Sequence, residues 1–179
     1  MSHRLPAFGL AALSVVALVT GCAPQAEPTP TPTPRFTSQA QAYQAAEATY
    51  RAYVDALNKV DLRDPATFED VYKWETGEAL NSEKKSLTKM HADGWTLTGD
   101  SVLTLIQASR SVPYSPNSIA MDACVDVSTV DLLGKDGKSM VAPDRGDMQT
   151  IVVTFAAANS NTGWLVSFVD GRDSGPSCE

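Results

Sequence analysis

The sequence is poor in histidine and cysteine, which limits the chemistry that it can support. Its 179 residues include two histidines, His3 and His91, and three cysteines. Zinc sites are built from three or four Cys, His or carboxylate ligands, so we expect no zinc site of the usual kind and no cofactor. A nucleophile elbow and a phosphate-binding loop are also missing from the sequence.

Basic residues are scarce as well. The chain has 14 lysines and arginines against 21 acidic residues, and its formal net charge is −7. An acidic protein without a basic stripe is not expected to bind nucleic acid. It is not expected to be attracted to anionic lipid headgroups either, because these favour clusters of Lys and Arg.

The first 21 residues have the organisation of a secretory signal. Arg4 is followed by a stretch without charge from Leu5 to Val19. The stretch is about 15 residues long, which is shorter than the roughly 20 that a helix needs to span a bilayer. A basic start, an apolar stretch and a small-residue cleavage site together predict a signal peptide.

The end of this segment resembles the lipobox of bacterial lipoproteins. Val19, Thr20, Gly21 and Cys22 supply its aliphatic residue, small residue, glycine and cysteine in order. The resemblance implies cleavage before Cys22 and a diacylglyceryl lipid on its thiol, which would hold the protein at the extracytoplasmic face of the cell membrane. Two or more acyl chains anchor a protein stably. The alternative is an ordinary secreted protein with a cysteine near the cleavage site by chance.

A tether separates the predicted anchor from a folded domain. Proline alternates with threonine from Pro28 to Pro34, and proline prevents helix and central-strand formation. Residues 22–35 are therefore expected to form an extended linker of about 40 Å, at roughly 3.1 Å per residue. Glycosylation of its threonines is left open. Residues 36–179 are expected to form a single domain.

The two other cysteines, Cys124 and Cys178, are most simply a disulfide in an exported protein. The bridge would close a loop of about 54 residues, for which chain entropy gives roughly 4 kcal/mol of stabilisation. The alternative is two separate free thiols, which an oxidising compartment disfavours.

The pattern of apolar residues predicts helices first and strands afterwards. Residues 37–60 form an amphipathic helix, with Thr37 or Ser38 as N-cap. Asp64 and Pro65 begin a second helix that runs to about Trp74. A third helix spans residues 79–90, with a break or bend near Gly77. The expected strands cover these ranges: 95–108, 118–133, 148–157 and 164–169. The first of them is expected to be irregular near Gly99-Asp100.

These elements predict an α+β domain, with N-terminal helices packed on a curved, four-stranded antiparallel sheet. The order resembles the nuclear transport factor two-like superfamily, also called the SnoaL-like or cystatin-like cone, and in particular its actinobacterial lipoprotein members. The resemblance rests on these segments: Gly94-Trp95, residues 123–128, Asp136-Gly137-Lys138, residues 163–166 and Cys178. It implies a conical fold that can hold a cavity, but it does not imply one activity.

Two sets of residues resemble functional sites but are better explained as structural features. Asp122, Asp126 and Asp131 alternate with apolar residues along a strand and lack the twelve-residue loop of a calcium site. The segment Asp173-Ser174-Gly175-Pro176 superficially resembles the serine region of trypsin-like proteases. Its only available base is His91, at the end of a helix, so we interpret this match as chance.

The enzymes of the resembled superfamily, ketosteroid isomerase and polyketide cyclases, place a carboxylate base and polar donors inside the cone. Asp126 shares a strand face with Cys124, opposite Val125 and Val127. If the valines pack on the helices, Asp126 points away from the cavity, and the sequence then identifies no catalytic residue. Four aromatic residues are expected to be core: Tyr50, Tyr53, Trp74 and Trp95.

The leading hypothesis is therefore a non-catalytic, lipid-anchored module that binds a small apolar ligand or an envelope protein. One alternative is a small lyase or isomerase of the SnoaL or ketosteroid isomerase type. Another is a phage or prophage lipoprotein that acts in superinfection exclusion.

The lipid anchor can be tested with radioactive palmitate in a bacterial host. We expect the wild-type chain to be labelled and to sediment with membranes, and Cys22→Ala to lose both properties because it lacks the acceptor thiol. Unchanged labelling and sedimentation of the variant would show that Cys22 is not the anchor.

Overall fold

The structure is a computed structural model, and it describes residues 35–178. The predicted signal peptide, the lipobox from Val19 to Cys22 and nearly all of the tether lie outside the described residues. Within the described part, no helix is both long enough and apolar enough to cross a membrane. The helices are α1 (Gln39–Leu57), α2 (Phe68–Tyr72) and α3 (Gly77–Asp93).

The first helix begins and ends at side chains that bond to the main chain. Ser38 is the N-cap, and its Oγ accepts a hydrogen bond from Gln41 N at 3.2 Å. At the other end, the Asn58 side chain donates to Ser101 O and accepts from Ser101 N, each at 2.9 Å. The helix therefore ends at Leu57, three residues before the predicted end, and its terminus is attached to the segment that precedes the second strand.

The next two helices also follow local signals. Asp64 caps a 3₁₀ turn at Pro65–Thr67 that leads into α2, and its Oδ1 accepts from Ala66 N at 3.1 Å. The third helix begins at Gly77, where a break or bend was predicted. It ends at Gly94, whose φ of 71° is the left-handed conformation that favours glycine after a helix.

The described residues contain six strands: β1 (Thr96–Thr98), β2 (Val102–Ala108), β3 (Ser118–Asp126), β4 (Asp131–Leu133), β5 (Met148–Ala157) and β6 (Trp164–Gly171). Four of them form the main antiparallel sheet, in the spatial order β2-β3-β5-β6, and this confirms the predicted helices on a four-stranded sheet. The other two, β1 and β4, pair into a separate two-stranded ribbon.

The irregularity predicted near Gly99-Asp100 is a full break, and residues 95–108 are divided between the ribbon and the main sheet. The prediction of a single strand over 118–133 was wrong, because this segment is divided in the same way. Both breaks occur where the two segments cross. A Cβ atom at Gly99, whose φ is 76°, would collide with the carbonyl group of Thr129. Asp100 N donates to Thr129 Oγ1 at 3.2 Å. Both segments leave the main sheet at this close crossing.

The core lies between the helices and one face of the sheet. Trp164 at the start of β6 is fully buried, and its Nε1 donates to Ala42 O of α1 at 3.0 Å. Phe155 of the neighbouring strand is also fully buried and meets the ring of Tyr50 edge to face, with centroids 6.5 Å apart. Burial of these large side chains is the main source of stabilisation between the two layers.

The expected disulfide joins Cys124 of β3 to Cys178, with the Cα atoms 5.4 Å apart. Val125 and Val127 belong to the core on the helical side of the sheet. Strand alternation therefore puts Cys124 and Asp126 on the other face. Asp126 accepts a hydrogen bond from Ser128 N at 2.8 Å, as suits a position outside the core.

Candidate functional site

Two cavities border α3. The first, which we call the apolar cavity, has a volume of about 160 Å³ and lies between the helices and the β1–β4 ribbon. Its aliphatic lining is formed by Leu57, Val60, Leu62, Leu87, Met90, Leu97, Val130 and Leu132.

The polar residues of the apolar cavity differ in what they offer a ligand. Asn58 and Ser101 satisfy each other through the two hydrogen bonds that end α1. Among residues 35–178, Glu83 is the one acidic residue in the lining. In this part of the chain the cavity therefore combines an aliphatic wall with one carboxyl group.

The second cavity, which we call the carboxylate cavity, has a volume of about 240 Å³. Glu83 borders it as well, so this carboxylate stands between the two cavities. The described residues that line it include three acidic and no basic side chains, and they are Tyr53, Glu75, Glu78, Ala79, Ser82, Glu83, Phe168 and Val169.

Glu75 is buried by the way the connection between α2 and α3 pairs with β6. Val166 N donates to Trp74 O at 2.9 Å, and Thr76 N donates to Val166 O at 2.8 Å. These bonds hold Glu75 against the sheet, where it is 4% exposed. Its Oε2 has no hydrogen-bond partner among residues 35–178. An unpaired buried acceptor is rare and costly in a native protein.

Glu83 is half-buried because it falls within the apolar stripe of α3. Ala79, Glu83 and Leu87 follow at four-residue steps, so they lie on one helix face. Tyr53 of α1 lies opposite, and its hydroxyl donates to Glu83 Oε2 at 3.3 Å.

Burial changes the ionisation of this cluster. Burial, and to a smaller extent the negative charge of Glu83, raises the pKa of Glu75 from 4.5 to about 8. The pKa of Glu83 is also raised by burial, against the opposing effect of the Tyr53 hydrogen bond. The pKa of Tyr53 is well above its usual value, first because of burial and then because of the two carboxylates. Near neutral pH, Glu75 is therefore mostly protonated.

Apart from Tyr53, the residues considered from the sequence do not lie at this site. Nδ1 of His91 lies 2.7 Å from the carbonyl oxygen of Leu62, and its ring packs edge to face on Phe68. Ser174 lies in the tail, where its carbonyl oxygen accepts from Arg172 Nη1 at 2.8 Å. Residues 35–178 contain no cluster of three or more His, Cys, Asp or Glu suited to a metal ion.

Sequence reasoning missed Glu75 and Glu83. Glu83 carried a usable signal, because it interrupts the apolar stripe of a helix and would be buried if the helix packs. Glu75 carried none, since its burial depends on pairing with a strand some 90 residues later, at Val166. Tyr53 was predicted as core. Its ring is buried, and its hydroxyl faces the carboxylates.

No protein-family model matches the chain, and no curated protein matches it significantly. Solved structures with a similar arrangement include the intermembrane space region of the chloroplast protein ARC6, at 12% identity over 74% of this chain and 97% of that one, with a TM-score of 0.46. Agrobacterium tumefaciens VirB8 matches at 11% identity over 83% and 99% of the two chains, with a TM-score of 0.43. A predicted polyketide cyclase from Xanthomonas campestris matches at 11% identity over 72% and 89%, with a TM-score of 0.36. Similarity at this level carries no information about activity.

The raised pKa of Glu75 predicts a pH-dependent stability. Between about pH 4.5 and 8 the folded chain keeps a proton that the unfolded chain has released, so the free energy of unfolding falls as the pH rises. Glu75→Gln should remove most of this slope and be the more stable protein at pH 9, by several kcal/mol if each pKa unit contributes about 1.4 kcal/mol. Urea denaturation from pH 4 to 9 measures it.

Glu69→Gln is the matched control, because Glu69 is exposed on α2 and borders neither cavity. This variant should follow the wild-type pH profile. If Glu75→Gln follows it too, Glu75 is ionised in the folded protein and the assigned pKa is wrong.

Proposed function

We propose that the chain is a lipid-anchored, extracytoplasmic module whose helix–sheet domain binds a small ligand with an apolar body. The observation that carries the proposal is the apolar cavity, whose aliphatic wall is built by α1, α3 and the β1–β4 ribbon. Small-molecule sites are concave, mostly apolar and provided with a few polar groups that fix orientation. Glu83 would supply that polar group.

The volume of the cavity limits the ligand. At about 160 Å³ it is close to the engineered cavity of about 150 Å³ that holds one benzene molecule. The ligand, or the part of it that enters, should therefore be no larger than one ring or a short branched chain. An apolar side chain of an envelope protein would satisfy the same limit.

The proposed location rests on two further observations. The disulfide between Cys124 and Cys178 suits an oxidising compartment outside the cytoplasm. The segment from Val19 to Cys22 resembles a lipobox, and a lipid on Cys22 would attach the domain to the membrane. Three helices followed by the four antiparallel strands of the main sheet support placing the domain among the nuclear transport factor two-like cones.

Filling the apolar cavity should abolish binding of a ring-sized ligand. We expect benzene and indole to shift the amide NMR signals of cavity residues in the wild type. Val130→Phe places a larger side chain in the lining and should suppress these shifts. Val102→Phe is the control, because Val102 is 54% exposed and lies outside this lining. Equal shifts in both variants would contradict the proposal.

A proton-transfer enzyme is the second candidate function, and one observation favours it. Glu83 has a raised pKa, borders an apolar cavity and is contacted by the hydroxyl of Tyr53. A carboxylate base in such surroundings can remove a proton from the carbon next to a carbonyl group.

Deuterium exchange tests this candidate without knowledge of the natural substrate. Cyclohexanone in D₂O is followed by NMR, with and without the protein. The enzyme hypothesis predicts exchange at the α carbon above the buffer rate and its loss in Glu83→Gln, which cannot accept the proton. Exchange at the buffer rate over a panel of small ketones would count against a base of this kind.

A further inference from the structure

We propose that the carboxylate cavity binds an organic cation, that is, an ammonium or guanidinium group carried on a short apolar stem. The inference adds a second binding site and does not depend on a ligand in the apolar cavity. It begins with Glu75, which borders this cavity, is 4% exposed and has an Oε2 atom that is buried without a partner among the described residues. A bound N–H donor beside Glu75 would give its carboxyl group the partner that it lacks.

The charges around the cavity are unbalanced. Glu75, Glu78 and Glu83 all border it, and none of them forms an ion pair with any residue between 35 and 178. Tyr53 donates its only hydroxyl hydrogen to Glu83. The cavity therefore offers carboxylate oxygens as acceptors, and no basic side chain among its described lining neutralises them. A positive ligand is the complement of such a site.

The rest of the lining suits an organic cation better than a metal ion. Tyr53 and Phe168 contribute aromatic rings, and the faces of such rings attract ammonium and guanidinium groups. Ala79 and Val169 add apolar surface for a stem. The volume of about 240 Å³ is larger than one ion requires, and the described residues hold no cluster of acidic, His or Cys ligands suited to a metal.

Cation binding should be coupled to proton release. The titratable groups around Glu75 are Tyr53 from α1, Tyr72 from α2, and Glu78 and Glu83 from α3, while β6 contributes Phe168 and Val169. Because the pKa of Glu75 is about 8, the carboxyl group is mostly protonated below that pH. An ammonium ligand favours the ionised form, so its affinity should increase between pH 6 and pH 9.

Calorimetry with butylammonium chloride and the full chain tests the proposal at pH 8.5. We expect butylammonium to bind, and butanol and butyrate, which have the same stem, not to bind. Glu75→Gln should weaken butylammonium binding about tenfold or more, as expected for the loss of a charge-assisted hydrogen bond. Glu69→Gln should bind like the wild type. Circular dichroism checks that both variants are folded.

Three results would overturn the proposal: equal affinity of the wild type and Glu75→Gln for butylammonium, equal binding of butanol, or binding of calcium chloride at Glu75 with no effect of butylammonium. A further comparison distinguishes two sources of the cation, a lysine side chain and a free amine. Tighter binding of Nα-acetyl-lysine amide than of butylammonium supports a lysine side chain, and the reverse order supports a free amine.

Variants can test cation binding in the carboxylate cavity independently of ligand binding in the apolar cavity. Val130→Phe fills the apolar cavity and leaves the lining of the carboxylate cavity intact, so it should keep the wild-type affinity for butylammonium. Loss of butylammonium binding in Val130→Phe, with wild-type binding in Glu75→Gln, would place the cation in the apolar cavity and overturn the inference.

Discussion

The main-chain hydrogen bonds between Val166 and the connection from α2 to α3 determine how the helical layer meets the sheet. They pair Glu75 with Val166 of β6 in a single parallel β-bridge. The bridge fixes the point at which α3 begins and the side of the domain along which it runs. It also places Glu75 where the layers meet, although an acidic residue between two helices would ordinarily face water. Both cavities border α3, so their positions depend on this attachment.

The interior that results is uneven. On the side of Trp164 and Phe155 it is a close-packed apolar core. On the side of α3 it contains two carboxyl groups and a tyrosine hydroxyl that share a single side-chain hydrogen bond, between Tyr53 and Glu83. Burying carboxyl groups costs free energy that a purely apolar core would avoid. Local conflicts of this kind tend to occur at functional sites, which is why this side of the domain receives both proposals.

Sequence reasoning succeeded where a structural signal is local. The cap at Ser38, the Asp64-Pro65 helix start and the end of α3 at Gly94 all depend on residues close in the chain. β5 has the predicted bounds, because a β-branched segment between turns is unambiguous. The sequence predicted an irregularity near Gly99-Asp100 but not the change of sheet there, since alternation shows which face a residue takes and not which sheet it joins.

The sequence did not predict the candidate site, for a related reason. Strand alternation predicts the direction of a carboxylate on β3, such as Asp126. The carboxyl groups inside the fold are instead Glu83, which is half-buried on a helix, and Glu75, which is buried on a connection. Glu83 could have been found from its place in the stripe of α3. Glu75 depends on a distant strand, and no local pattern records such a contact.

The ribbon formed by β1 and β4 is a wall of the apolar cavity with low local stability. Two strands alone are marginally stable in water, and this pair is joined by only three residue pairs and lies outside the main sheet. Segments with few neighbours open locally at a lower free energy than the core does. Displacement of Leu97 and Leu132 together would expose the aliphatic interior while β3 and β5 keep their pairing. Local opening of the ribbon is thus the route of lowest free energy by which a ligand enters and leaves the apolar cavity.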